Sequence, residues 1–535
     1  MESPHAFEPM GALQPAKFFR PAPVLLTLLL ALACWAHVHF WVPNHDASTY
    51  VLEAARLLGG AQFHQDIAET NPPLIVFLTL PGVLLAGWIG VSAWAGFVIW
   101  AGALVWLAAC LAEAHLARLL PDVPMGWRVA ALVWALVFFP GAEFGQREHL
   151  SVCLFVPALC VLSATPSGTR SPKVNGHGLV VWTLAAIGLL LKPFFLGVLG
   201  ALLCLACFRQ KSWRPLLGLP TAVTACVGAV YVLAIAVFCP GWFDTLPLTM
   251  QVYFGLNGSL SGVLVQFLRQ MVALAIGIPL LLTLPVLRPH RRLFLNVSLA
   301  AAVWFLLAVL QRKGWAYHAQ PAMCLLLLGL GLAVGIAMAA DRSRMGQAWR
   351  SKVAAVALPA LTMLFMAVLC ARFYLTPQYT RARQLADPFT VTLVELAQGR
   401  PWVVWSTEVT PAFPLVLMLD GDWASRSMHQ WMIPGTLKLA QKADANTKEV
   451  AALRATAARF ATEDLARYRP AVVVVRSQNH HFIQGPFSFL DFFSVDPSFA
   501  TQWAHYRRVK SLPEWDFYVR QTPDDVRPTD GRQKD

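Results

Sequence analysis

The chain has 535 residues, of which 57% are apolar and only 13% are charged, and its formal net charge is +13. Soluble domains average about 45–50% apolar and about 25% charged residues, so this composition excludes a soluble globular enzyme, a coiled coil and a disordered protein. The apolar residues stand in long blocks, and a block of about 20 residues is enough to cross a bilayer. The basic residues collect between these blocks, as in cytoplasmic loops, so we expect no nucleic-acid partner. The sequence predicts a mainly α, polytopic membrane protein.

The first external loop follows from the placement of Lys and Arg, because cytoplasmic loops carry an excess of both. Lys17 and Arg20 place the N-terminus inside, so the first span exits and residues 42–72 form a loop outside. The next apolar run, 72–88, is short and contains a Pro-Gly break, which predicts a juxtamembrane or re-entrant helix pair rather than a crossing. The external loop contains four acids: Asp46, Glu53, Asp66 and Glu69.

The same rule predicts about eleven spans in a transmembrane domain of residues 1–372. They lie at 22–41, 92–113, 128–141, 150–165, 179–191, 193–208, 216–238, 262–286, 294–311, 320–340 and 353–371. Charges become frequent after this domain, and strand-like runs at 402–405 and 471–475 flank a helical pattern at 438–468. Strand, helix and strand in this order predict a small α/β domain over 373–535, which the span count places outside.

Three basic sites break the positive-inside pattern, because they lie at predicted external ends of spans: Arg147, Lys192, and the pair Arg312 and Lys313. An unpaired cation near the membrane costs several kcal/mol or finds a partner, so such residues are functional candidates. The alternative is that their long side chains reach the lipid headgroups. Together with the acids of the first loop, they predict a site where cations bind a lipid-linked phosphate and a carboxylate takes a proton.

Five short motifs resemble those of the C-type (GT-C) membrane glycosyltransferases. They are HDASTY at 45–50, DIAETNPPL at 66–74, FGQREHL at 144–150, LKP at 191–193 and WAYHAQP at 315–321. The resemblance covers about residues 20–340 and, in outline, the C-terminal domain. Within the superfamily, the pattern is nearest to the branch of ArnT and the protein mannosyltransferases. Where that family usually has an Asp-Glu pair in the first loop, this chain has Asp46-Ala47.

The resemblance implies an inverting transfer of a sugar from a polyprenyl-phosphate-linked donor to an envelope lipid, glycan or protein on the extracytoplasmic face. In that scheme Asp46 is the general base; the alternative for Asp46 is a helix N-cap. His45, Asp66 and Glu69 hold the acceptor or a divalent metal ion, Mg²⁺ or Mn²⁺; the alternative for Asp66 and Glu69 is that they are solvated loop acids. The residues implied to bind the donor phosphate are Arg147, Lys192, Lys313, Tyr317 and His318, with a structural ion pair between Arg147 and Glu148 as an alternative.

The expected location is the plasma (inner) membrane, with several passes, contacts to membrane lipids, and the active site and C-terminal domain outside. A transporter or flippase of a lipid-linked saccharide is the first alternative, and it predicts charges buried at mid-span and inverted repeats. Further alternatives are a ligase or polymerase of surface polysaccharide and a non-catalytic scaffold.

In the loop before span eight, the aromatic residues Trp242, Tyr253 and Phe254 are candidates to stack on a sugar.

Overall fold

The computed structural model describes residues 21–164, 176–253, 256–342, 376, 379–442 and 446–521. Its membrane half is helical, as predicted. The helices are α1 Pro21–His39, α2 His45–Leu58, α3 Leu74–Ile89, α4 Ala93–Leu119, α5 Met125–Val133, α6 Arg147–Ala164, α7 Gly176–Leu190, α8 Leu196–Gln210, α9 Leu219–Phe238, α10 Trp242–Leu248, α11 Leu260–Gln266, α12 Leu268–Thr283, α13 Arg291–Leu310 and α14 Gln320–Arg342.

Seven helices of the described residues are long and apolar enough to cross a membrane, and α11 with α12, bent by 68°, gives an eighth candidate. Shorter apolar helices are α3, α7, and α5 with the π-helical turn that continues it. Each of the first ten predicted spans contains one of these helices or the bent pair, which confirms the polytopic helical fold. The eleventh, 353–371, and the predicted domain boundary at 372 lie outside the described residues.

Helices α1 and α4 pack antiparallel, so the end of α1 and the start of α4 lie next to each other. Trp94 Nε1 at the start of α4 donates to the carbonyl of His37 at the end of α1 (3.2 Å), and Trp106 Nε1 donates to Thr27 Oγ1 (3.0 Å). The segment between them therefore begins and ends on one side of the membrane. This agrees with the prediction that 72–88 does not cross.

The prediction of a broken helix pair in that segment is wrong, because α3 is one helix that continues through Pro81. Close contact with α4 holds it together at this point. A Cβ on Gly82 would lie 2.9 Å from the Cα of Phe97, so only glycine permits the two backbones to approach this closely.

The C-terminal domain is the predicted α/β unit. Its elements are α15 Arg381–Leu385, α16 Pro388–Ala397, β1 Trp402–Trp405, α17 Ala412–Met418, α18 Met432–Ala440, α19 Thr447–Tyr468, β2 Val472–Arg476, α20 Phe489–Phe493, α21 Phe499–Trp503, β3 Tyr506–Leu512 and β4 Trp515–Arg520. The strand order is β1-β2-β4-β3, with β1 and β2 parallel and the other pairs antiparallel. A parallel pair needs a crossover, and the helices between β1 and β2 supply it, which confirms the strand–helix–strand prediction.

The C-terminal domain docks on the side where α1 ends. The backbone N–H of Arg381 donates to the carbonyl of Phe40 (2.9 Å), directly after α1. Arg56, on α2, donates to the backbone carbonyls of Trp423 and Ser425 in the domain. The domain and the first loop therefore form one surface over the ends of the helices.

Candidate functional site

A cavity of about 370 Å³ lies between the start of α2, the ends of several membrane helices and the C-terminal domain. Five of the nine residues predicted for the site line it: His45, Asp46, Glu69, Arg147 and Tyr317. They come from the first loop, from the start of α6 and from the turn before α14. The fold therefore brings together residues that lie up to 272 positions apart in the sequence, from His45 to Tyr317.

Asp46 sits in the first turn of α2, and its neighbours fix its position. The N-cap of α2 is Asn44, whose side-chain oxygen accepts from the N–H of Ala47 (2.9 Å), so the alternative that Asp46 is the N-cap is wrong. Gln146 Nε2 donates to Asp46 Oδ2 (2.7 Å), and His45 Nε2 lies 3.4 Å from Asp46 Oδ1. The carboxylate is thus held at the cavity wall by hydrogen bonding and charge.

The environment keeps Asp46 ionised. Burial raises the pKa of its carboxyl, but His45, Arg147, the hydrogen bond from Gln146, and Lys192 together outweigh burial and hold the pKa below its ordinary value. Its place in the first turn of a helix favours the anion in the same direction. Asp46 is therefore a carboxylate, and hence a proton acceptor, at neutral pH.

Arg147 is the first residue of α6, and it presents a guanidinium to the cavity. Its Nε is buried without a hydrogen-bond partner, and no described residue forms an ion pair with it. The guanidinium lies 5.6 Å from the ring centre of Tyr50, a cation–π contact that supports it without neutralising its charge. A buried donor without a partner calls for an explanation, and an anionic ligand in the cavity provides one.

Glu148, the alternative partner of Arg147, instead forms an ion pair with Lys192. Lys192 Nζ also donates to Gln311 Oε1 (3.3 Å), and His318 Nε2 lies 3.7 Å from Glu148 Oε1. All three charged or titratable groups are buried, and Lys192 and His318 lie behind the cavity wall rather than in it. The pair leaves Arg147 free, because the carboxylate that would otherwise neutralise the guanidinium is already occupied.

We expect Lys192→Met to lower any activity of this site strongly, because it leaves the buried Glu148 carboxylate without its counterion. Breaking a buried pair typically costs about 3–5 kcal/mol. The double variant Lys192→Met/Glu148→Gln removes both charges and should recover most of the thermal stability and activity lost in the single variant. The melting temperature and the activity are measured for the wild type, the two single variants and the double variant, which together form a double-mutant cycle. Additive losses would show that the two residues act independently.

Two further carboxyl groups belong to the first loop, and one of them, Glu69, lines the cavity. Glu69 Oε1 accepts from the backbone N–H of Thr70 (2.6 Å) and from its hydroxyl (2.8 Å). Glu53 is 1% exposed, and its pKa is raised well above the ordinary value by burial and then by Glu69. The sequence analysis did not select Glu53 as a site residue, although its spacing of seven from Asp46 places both on one face of α2.

Asp66 is not brought into the cavity. Its carboxylate accepts from the N–H of Gln62 (2.8 Å) and pairs with Arg467 on α19 (2.5 Å). The contact joins the first loop to the C-terminal domain, because α19 belongs to that domain. Asp66 therefore acts in the structure as a docking residue, and we assign it no acceptor or metal role.

Lys313 lies beside the cavity rather than in its wall. Its ammonium donates to the carbonyl of Tyr253 (2.8 Å) and lies 4.1 Å from the centre of that ring. Burial, and then repulsion by Lys438, lower the pKa of Lys313 to about 8. Tyr253 itself lines the cavity, where a sugar-stacking aromatic was expected, whereas Phe254 lies outside the described residues.

The C-terminal domain supplies a second wall that the sequence analysis missed. Its lining residues are Thr407, Glu408, Val409, Thr410, His429, Trp431, Pro434, His481 and Phe482. The adjacent histidines at 480 and 481 are a weak signal for it in the sequence. The docking of the domain onto the first loop is what makes these side chains part of the cavity.

The expectation of Mg²⁺ or Mn²⁺ stays a prediction. Within the described ranges, no group of three or more His, Cys, Asp or Glu side chains is placed to hold a metal ion. One oxygen of Asp46 and one of Glu69 already accept hydrogen bonds from protein donors. We derive no step through a metal.

The solved structures that match nearly the whole chain include two of the same protein. ArnT from Cupriavidus metallidurans in the apo state superposes with a TM-score of 0.52 at 14% identity, covering 93% of this chain and 97% of that one. The same protein bound to undecaprenyl phosphate superposes with a TM-score of 0.50 at 14% identity and the same coverage. The chain has the ArnT fold. This confirms the fold expected from the resemblance to the C-type glycosyltransferases. No family model and no curated protein matches the sequence.

Proposed function

We propose that the protein is a membrane glycosyltransferase that moves a sugar from a polyprenyl-phosphate-linked donor to an acceptor in the cell envelope, with inversion at the anomeric carbon. One observation carries the proposal: an ionised carboxylate, Asp46, and an unpaired guanidinium, Arg147, line the same cavity. A base for the acceptor and a cation for the leaving phosphate are the two groups that this reaction needs. The ArnT fold supports it, since one ArnT structure is bound to undecaprenyl phosphate.

The transfer proceeds in one displacement. Asp46 takes the proton from the acceptor hydroxyl or amine as that atom forms a bond to the anomeric carbon of the donor sugar. The bond from the anomeric carbon to the phosphate oxygen breaks, and its electron pair leaves with the polyprenyl phosphate. Arg147 binds this phosphate by charge-assisted hydrogen bonds that strengthen as negative charge develops. Attack from the face opposite the leaving group inverts the anomeric configuration.

We place the cavity on the extracytoplasmic face. The end of α1, the first loop and the C-terminal domain lie together, as the bond from the Arg381 N–H to the Phe40 carbonyl shows. The Lys and Arg residues near the start of α1 (Lys17 and Arg20) favour a cytoplasmic N-terminus, so the end of α1 faces outside. A lipid-linked donor would keep its tail in the bilayer while its phosphate reaches Arg147 at the helix ends.

The direct test is sugar transfer by the purified full-length protein in lipid nanodiscs. Undecaprenyl-phosphate sugars carrying a radiolabelled hexose or pentose are supplied together with an envelope extract as the source of acceptor. We expect label to move from the lipid to an envelope component, with release of undecaprenyl phosphate and inversion at the anomeric carbon by NMR. Movement of intact labelled lipid between bilayer leaflets without cleavage would contradict the proposal and support the flippase alternative.

A further inference from the structure

The C-terminal wall of the cavity contains a hydrogen-bonded carboxylate–histidine pair that the proposed transfer step does not use. His481 Nδ1 lies 3.2 Å from Glu408 Oε1, and Glu408 also pairs with Arg476. The hydroxyl of Thr407 donates to the backbone carbonyl of His481 (2.8 Å). Glu408 thus holds the ring and Thr407 holds the backbone of His481, whose side chain is 45% exposed.

This pairing sets what His481 can bind. When Nδ1–H donates to a carboxylate, the neutral ring keeps its Nε2 free as a hydrogen-bond acceptor. Glu408 itself has its charge offset by Arg476, which in turn pairs with Glu514 (3.0 Å). The one guanidinium of this network, Arg476, is thus shared by two carboxylates, so it is not available to an anionic ligand, and the free acceptor on His481 suits an O–H group.

Aromatic rings lie directly beside the pair. Phe482 is 3.8 Å from His481 between ring centres and 6.4 Å from Trp315. Trp315 stacks on Tyr317 with ring centres 5.7 Å apart and an interplanar angle of 26°. All four side chains line the cavity. Flat aromatic faces next to hydroxyl acceptors suit a pyranose or furanose ring, which has apolar C–H faces and polar hydroxyl edges.

From this geometry we propose that the acceptor is a carbohydrate, whose sugar ring packs on Phe482 and Trp315 while one of its hydroxyls donates to His481. The inference deepens the proposed function and rests on it. The subsite belongs to the C-terminal domain, whereas the cation proposed to hold the donor phosphate, Arg147, belongs to the membrane half. A glycan or the glycan part of a glycolipid would enter from the domain side and present another hydroxyl to Asp46.

Saturation-transfer NMR with full-length protein in nanodiscs tests the subsite directly. The probes are the methyl glycosides of mannose, glucose and galactose, with the peptide acetyl-Gly-Ser-Gly-amide as a hydroxyl-bearing compound without a sugar. We expect a saturation-transfer signal from at least one glycoside, and we expect that signal to be reduced fivefold or more in His481→Gln and in Phe482→Ala. The exposed His505 gives the matched control, and His505→Gln should bind as the wild type does. Glu408→Gln serves as a second test of the same site if His481→Gln does not fold.

Two further measurements distinguish a failure of the carbohydrate subsite from a failure of the proposed function. Undecaprenyl phosphate should not displace the glycoside, because displacement would place the sugar in the donor site and overturn the inference. A glycoside signal equal in wild type and His481→Gln, or a signal only from the peptide, would also overturn it. Asp46→Asn should retain glycoside binding. Binding that depends on His481 in a protein that transfers no sugar would instead refute the proposed function and leave the carbohydrate subsite standing.

Discussion

Asp46→Asn is expected to abolish nearly all sugar transfer, with a fall of about 10²- to 10⁴-fold in kcat, the range that a well-placed general base contributes. The amide has the shape of the carboxylate and can still accept from Gln146, but it cannot take a proton. Binding of undecaprenyl phosphate and the melting temperature should change little. The measurement is a transfer assay under saturating donor and acceptor.

Asp244→Asn is the matched control, since Asp244 is an exposed acid on α10 outside the cavity. This variant should transfer at the wild-type rate. The pH profile gives a second check on the same residue. Because the pKa of Asp46 lies below its ordinary value, the base is ionised at neutral pH, and the rate should fall only at pH values below the ordinary titration range of an aspartate. A rate that falls between pH 7 and pH 5 would show that another group is the base.

Arg147→Gln should lower kcat by about 10²- to 10³-fold, the cost of removing one well-placed donor to a developing oxyanion. The guanidinium has no ion-pair partner within contact distance among the described residues, so its donors are available to the leaving phosphate. Arg147→Lys keeps the charge and loses the planar pair of donors, so it should fall between the wild type and Arg147→Gln. The affinity for undecaprenyl phosphate should follow the same order.

Arg312→Gln provides the comparison for this prediction. The sequence placed Arg312 among the same group of external cations, but the structure leaves its side chain exposed and outside the cavity lining. We expect wild-type transfer and wild-type lipid binding from this variant. Equal losses in Arg147→Gln and Arg312→Gln would mean that general positive charge near the membrane, rather than one bound guanidinium, supports the reaction.

The helices, and the grouping of the site residues at one common end of them, were predictable from the apolar blocks and the placement of Lys and Arg. Apolar blocks of sufficient length form helices in a bilayer, and the Lys and Arg bias orients them. That orientation placed Asp46, Arg147 and Tyr317 on one side, and the structure brings the three into one cavity. The α/β domain was also predictable, since β1 and β2 are short apolar runs around an amphipathic helix.

The pairing of charges within the site was not predictable. Glu148 follows Arg147 directly in sequence, yet it pairs with Lys192, which lies 44 residues away at the end of α7. Which face of α6 meets which neighbour depends on how the helices pack, and an apolar helix with little amphipathic character does not encode that. The same limit explains why the position of Asp66 at the domain contact was missed.

The contribution of the C-terminal domain was hidden for a different reason. Its contact with the first loop uses backbone carbonyls, as in the bonds from Arg56 to Trp423 and Ser425, and carbonyls leave no trace in a sequence. Glu408 and His481 reach the cavity only through this docking. The sequence therefore predicted residues of the wall that the membrane half supplies, and it missed the C-terminal wall that we assign to the acceptor.

The structure of this protein bound to undecaprenyl phosphate, determined by electron cryomicroscopy in nanodiscs, tests the central claim most directly. We predict density for the phosphate within hydrogen-bond distance of the Arg147 guanidinium, about 2.7–3.2 Å, in the same cavity as Asp46. The polyprenyl chain should run from there along the membrane helices. A phosphate bound at the opposite ends of these helices, or in the cavity but out of reach of Arg147, would contradict the account.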